Sequence, residues 1–168
     1  MKKPIQDPYH EIIDQFNRRG IRYVVIGMSG INYYSKTPAE TFGTADYDIF
    51  LEPTLENVKR ALGCLKKMRF SIGAAGKILD EKKLHEIVRG QRTLVATTPY
   101  GIMVELLLRV SGYPFSELAK DAVTFDLDGV PVKVGRLSKL LQSKRAAGRP
   151  KDRAFLKRYQ SLLEEPPH

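Results

Sequence analysis

Apolar residues recur at helical spacing in several stretches. Ile12, Ile13 and Phe16 form a stripe between Asp7-Pro8, a good N-terminal cap and first turn, and Gly20, which closes the helix after Arg18-Arg19. Leu55, Val58, Leu62, Leu65 and Met68 share one face while Lys59, Arg60, Lys66 and Lys67 lie outside it, which predicts a helix over 55–68 capped by Thr54. Between these two helices the pattern changes to strands. Residues 21–26 are β-branched and aromatic and run into the turn Gly27-Met28-Ser29-Gly30, a short helix at 31–34, a polar loop at 35–43 containing Pro38, and a strand at 46–51. Gly73 to Gly76 reads as a loop, and Asp80 caps a short helix reaching Val88. Strands are predicted over 92–97 and 102–108, separated by Thr98-Pro99-Tyr100-Gly101, and Pro114 opens another short helix. Asp128-Gly129 between 122–127 and 130–134 is the strongest hairpin signal in the chain. Helices over 136–147, closed by Gly148, and over 151–164, opened by Pro150, complete it.

This order predicts an α/β (α+β) fold, a mixed sheet flanked by helices with a helical C-terminus. The 168 residues fit one domain, a core of about 7–134 with a helical segment of about 135–164. Regular βαβ alternation, a G-x-G-x-x-G fingerprint and a Walker motif are all lacking, so a dinucleotide fold and a P-loop enzyme are not expected.

Composition narrows the class. With 42% hydrophobic and 28% charged residues, and no apolar run near the roughly 20 residues that span a bilayer, a soluble protein without a membrane segment is expected. The N-terminal Met1-Lys2-Lys3-Pro4-Ile5 has no apolar core behind its charge, so no secretory signal is read there. Cys64 is the single cysteine, which excludes an intramolecular disulfide, suits a cytoplasmic location and predicts a core-packing role. The net charge of +9 is concentrated. From Pro131 to Gln160 ten basic residues stand against Asp152 as the one acid, a field suited to phosphates of nucleotides or nucleic acid, or simply to a solvated helical face.

Candidate chemistry begins at Asp46 and Asp48. Residues i and i+2 of a strand point to one side, so the two acids converge while Tyr47, Ile49 and Leu51 face the other way. Two anions held so close call for a shared proton, a basic partner or a divalent cation, unless they are solvated at a strand end. Glu105 lies amid the apolar strand Ile102–Leu107, where a metal site, a functional base or a partner such as Arg92 or Arg109 would explain it. The Gly27–Gly30 turn offers backbone N–H groups and the Ser29 hydroxyl to anionic oxygens. His10, His85 and His168 make no metal motif, and Tyr33 and Tyr34 serve either to pack a short helix on the sheet or to stack on a base.

The strand ending in Gly27-Met28, the following Thr44-x-Asp46-x-Asp48, the later acid Glu105 and the C-terminal Lys144 with Gly148-Arg149-Pro150-Lys151-Asp152 together resemble the nucleotidyltransferase superfamily that includes DNA polymerase beta. The likeness is greatest to minimal bacterial members related to AbiEii-type toxins, and it covers roughly residues 9–163. Met28 stands where that pattern has a second Gly or Ser, Phe42 where an Arg is frequent, and Glu105 where the third acid is Asp.

The resemblance implies transfer of a nucleoside monophosphate from an NTP to an RNA or protein acceptor, in a toxin–antitoxin or defence setting. Asp46, Asp48 and Glu105 would be catalytic and hold two Mg²⁺ ions; Gly27, Ser29 and Lys144 would hold the triphosphate, with Arg145, Arg149 and Lys151 as outer phosphate or acceptor contacts. Asp152 reads either as a ligand or as a helix N-terminal charge. The competing expectation is a non-catalytic nucleic-acid-binding module, or a partner-neutralising protein of the same fold. One geometric condition separates these early. Glu105 must lie on the same face of the sheet as the aspartates.

Overall fold

A computed structural model describes residues 7–35 and 47–159. The segments outside those limits contain Thr44, Asp46, most of the polar loop and the last residues of the C-terminal helix expected from the sequence.

The described residues form a mixed eight-stranded open sheet with seven α-helices. The chain order is α1 (Pro8–Arg18), β1 (Tyr23–Ile26), α2 (Gly27–Asn32), β2 (Tyr47–Leu51), α3 (Leu55–Lys67), β3 (Ser71–Ala74) and β4 (Lys77–Ile78). It continues with α4 (Leu84–Arg89), β5 (Leu94–Thr97), β6 (Met103–Leu107), α5 (Phe115–Ala119), β7 (Val123–Leu127), β8 (Val130–Val134), α6 (Leu137–Ala147) and α7 (Pro150–Tyr159). Across the sheet the strands run β4-β3-β5-β6-β2-β1-β8-β7. The centre is built from distant segments: β2 pairs antiparallel with β1 and parallel with β6, and β1 pairs parallel with β8.

The helix caps work as the residue types suggest. Asp7 accepts hydrogen bonds from the Tyr9 and His10 N–H groups, and Thr54 from that of Asn57, so each satisfies helix donors that would otherwise be orphaned. Asn57 is itself buried. Its side chain accepts from the Arg22 N–H and donates to the Arg22 and Glu52 carbonyls, which pins the β1–β2 pair at the end away from Asp48.

One face of the sheet is fully covered. Tyr47, Ile49, Leu51, Val104, Leu106, Leu94 and Ala96 are buried there, with Ile12, Ile13 and Phe16 of α1 and the apolar face of α3 in the same core. The opposite face is covered unevenly. Phe115 of α5 packs edge-on against Phe50, and Leu140 of α6 fits against Gly30 and Gly135, while Val95, Thr97, Met103, Glu105 and Leu107 are only half-buried.

Two expected elements differ. The 73–76 loop is the turn of a β3–β4 hairpin, with Ala75 and Gly76 both at positive φ (52° and 78°). Its outer strand has two exposed residues and so no alternation to read. The short helix expected at 31–34 instead begins at Gly27, making the glycine turn its first turn. Cys64 is buried on α3, and burial pushes its thiol up, in keeping with a packing role. No helix of the described residues is long and apolar enough to cross a membrane.

Candidate functional site

Where β1 ends, the chain bends sharply at Gly27, whose φ of +65° suits glycine. A Cβ there would lie 2.4 Å from Asp48 Oδ2, so the missing side chain is what admits the carboxylate. Ser29 closes the gap left as β1 departs from β2. Its buried hydroxyl donates to the Ile26 carbonyl at 2.8 Å and accepts from the Asp48 N–H at 2.9 Å, standing in for a ladder bond. Ser29 therefore fixes the Asp48 backbone, rather than turning its hydroxyl to a phosphate as the sequence suggested. Ser29→Ala should cost about 1–2 kcal/mol by leaving both groups unsatisfied, seen as a lower denaturant midpoint with unchanged slope.

Asp48 is half-buried and in register with Glu105 on parallel β6, and with Ile26 on β1. Registered residues share a face, so Asp48 and Glu105 leave the sheet on the same side from strands about 5 Å apart. Glu105 therefore shares a sheet face with Asp48. Glu105 is half-buried on the less covered face, and its side chain makes no hydrogen bond or ion pair with Arg92, Arg109 or any other described residue. Solvent access on that face lets a polar side chain occupy an apolar strand. Asp46 lies outside the described residues, among which no three His, Cys, Asp or Glu side chains form a metal-holding cluster.

Behind Asp48, on the fully covered face, the start of β2 is anchored by aromatic residues. Tyr47 stacks on Tyr9 with ring centroids 4.7 Å apart, and its hydroxyl meets that of Tyr33 at 2.6 Å, which in turn meets His10 Nε2 at 2.8 Å. Burial pushes the Tyr33 phenol up to about 12 and Tyr47 higher, so both stay neutral. Tyr33 and Tyr34 pack against Phe125, which realises the helix-packing alternative.

A cleft of about 380 Å³ opens over Asp48, lined by Ile26 and Gly27, by Leu107 at the end of β6 and Arg109, Val110 and Ser111 after it, and by Leu140, Ser143, Lys144, Ala147 and Arg149. Gly27, Asp48, Lys144 and Arg149, far apart in sequence, thus share one cavity. Ser29, Glu105, Arg145 and Lys151 do not line it. Arg145 follows Lys144 by one residue, about 100° around α6, and is exposed with Gln142 as neighbour; Lys151 is exposed on α7.

Asp152 organises the cations. Its side chain is 1% exposed, and it accepts from Lys144 Nζ at 3.2 Å and from Arg149 Nε at 2.6 Å and Arg149 Nη2 at 3.2 Å. Burial alone would push this carboxyl up. The bonds from Arg149 and Lys144 outweigh it and hold the group below the ordinary aspartate value. Asp152 is thus the clamp joining α6 to α7. Lys144 also lies over the Phe155 ring, 5.2 Å from its centroid.

Asp152→Asn should cost about 2 kcal/mol, less than a fully buried pair because Arg149 is 56% exposed. A folded value below the unfolded one means the clamp stabilises fully above the ordinary aspartate range and is lost as pH falls below it. Acid titration of stability should accordingly show a shallower low-pH decline in Asp152→Asn than in the parent.

Arg109 and Ser143 were not picked out as ligand contacts from the sequence. The available signal was parity: Arg109 lies four residues beyond Glu105 along the same strand direction. Comparison with protein-family models and with curated proteins gives no match.

Proposed function

We propose that this protein is a nucleotidyltransferase, moving a nucleoside monophosphate from an NTP to an RNA or protein acceptor. The observation that carries the reading is the shared cleft, which joins the Asp48 carboxylate, unshielded by any side chain at Gly27, to the clamped cations Lys144 and Arg149.

The donor set fits a hard divalent cation. Asp48 and Glu105 occupy adjacent registered positions on one sheet face, Asp48 alone of the two lining the cleft, and a Cβ at Gly27 would occupy the space at Asp48 Oδ2. Asp48, Glu105 and, by the resemblance, Asp46 would hold Mg²⁺, with two ions expected. Mg²⁺ bound there would neutralise and polarise phosphate oxygens. Lys144 and Arg149 orient the phosphate chain, their geometry set beforehand by Asp152. In the reaction the acceptor oxygen bonds to the α-phosphorus, the α–β bridging P–O bond breaks, and pyrophosphate leaves. The Glu105 carboxylate takes the acceptor proton.

The basic C-terminus supports the acceptor side of this reading more than a stand-alone nucleic-acid module. Arg136 and Lys139 pair with Asp121, and Lys144 and Arg149 with Asp152, so part of the positive field is spent internally. Lys133, Arg145, Lys151, Arg153 and Lys157 remain exposed for an RNA backbone. Incubation with each α-labelled NTP, Mg²⁺, and total RNA or protein tests the proposal. Label should enter an acceptor in Mg²⁺ and not in EDTA; salt-sensitive RNA binding without NTP binding would instead favour the non-catalytic module.

A further inference from the structure

We infer that Arg109 is a built contact for a phosphate chain, the cation that meets the β- and γ-phosphates of the nucleotide from the side of the cleft opposite α7. The inference rests on the nucleotidyltransferase reading and adds to it a residue outside the motifs that suggested it. Among the described residues three cationic side chains line the cleft, and two of them are already committed. Lys144 and Arg149 both bond to Asp152, whereas Arg109 is exposed and makes no ion pair with any described residue.

The connection that carries Arg109 runs along one helical face of α6, held to it at Lys139 and Ser143 and passing close to Ala146. Lys139 Nζ lies over the Tyr113 ring at 5.7 Å, Ser143 Oγ donates to the Ser111 carbonyl at 2.7 Å, and a Cβ at Gly112 would reach ordinary contact with Ala146 Cβ at 3.5 Å. Positions 139, 143 and 146 recur at helical spacing, so the loop and the helix bearing Lys144 behave as one wall. A bridge between Val110 and Tyr113, with Gly112 at φ +91°, closes the loop on itself. Arg109 is thereby delivered to the cleft from a braced loop. Its planar fork suits two oxygens of a phosphate chain, and its charge offsets the like charges of the phosphates and Asp48.

The test uses the full chain and inorganic tripolyphosphate in EDTA, which removes any metal and nucleobase contribution. Titration calorimetry should detect binding to the parent, a fall of about tenfold or more in Arg109→Gln, and partial recovery in Arg109→Lys, with unchanged circular dichroism. Ser143→Ala, which releases the loop from α6, should weaken binding by about two- to fivefold. Equal affinity of parent and Arg109→Gln, or no tripolyphosphate binding by the parent, overturns the inference. A parallel titration with Mg²⁺ and NTP separates it from the wider reading. An Arg109-dependent polyphosphate site with NTP affinity indifferent to Asp48→Asn would sustain the contact and remove nucleotidyl transfer; the opposite pattern would do the reverse.

Discussion

Asp48→Asn is expected to lower Mg²⁺-dependent nucleotidyl transfer by about 10²–10³-fold while the protein stays folded. Asparagine keeps the size of the side chain, and the backbone N–H that bonds to Ser29 is untouched. What changes is one negative charge and one hard oxygen donor, beside Glu105 in the adjacent strand. Asp48 repels Glu105 in the adjacent strand and attracts Arg149 in the cleft, so its neutralisation should change stability by about 1 kcal/mol or less. Labelled-NTP transfer and a thermal melt on the same preparation read both halves. A variant that loses activity through unfolding would fail the second.

Gly27→Ala should be damaging in a different way. At φ +65° an L-residue costs about 1–2 kcal/mol of backbone strain, and the added Cβ would lie 2.4 Å from Asp48 Oδ2. The carboxylate must turn aside, and a displacement of that kind costs about 10²-fold in rate where geometry carries the reaction. Stability should fall by about 2 kcal/mol, because strain and contact add. A double-mutant cycle isolates the contact. In an Asp48→Ala background the second change should cost only the strain, and full additivity would mean that Gly27 and Asp48 do not meet as described.

The parts of the fold that are local were legible before any coordinates. Asp7-Pro8 and Thr54 announce helix starts through their own side chains, and Asp128-Gly129 specifies its hairpin through its own backbone preference. The β3–β4 hairpin was not, since Lys77 and Ile78 are both exposed and leave no pattern. Non-local facts were harder. That Asp48 faces Glu105 depends on parallel pairing of strands more than 50 residues apart, which no local pattern encodes. Asp152 stands in the first turn of α7, as a helix N-terminal charge should, but that it is also a buried clamp depends on how α7 folds back on α6. Arg145, Arg149 and Lys151 read alike as outer contacts beside Lys144, yet only Arg149 of the three lines the cleft, a difference set by how the α6–α7 connection folds. Ser29 was legible as part of the site, but its bonds to Ile26 and Asp48 required the geometry of a departing strand.

The central claim is that the Gly27–Asp48 cleft is a metal-dependent nucleotide site, and calorimetric titration of each of the four NTPs into the parent and Asp48→Asn, in Mg²⁺ and in EDTA, tests it most directly. At least one NTP should bind the parent in Mg²⁺, with affinity falling about tenfold or more both on chelation and in the variant. Binding of no NTP, or binding indifferent to Mg²⁺ and to Asp48, would contradict it.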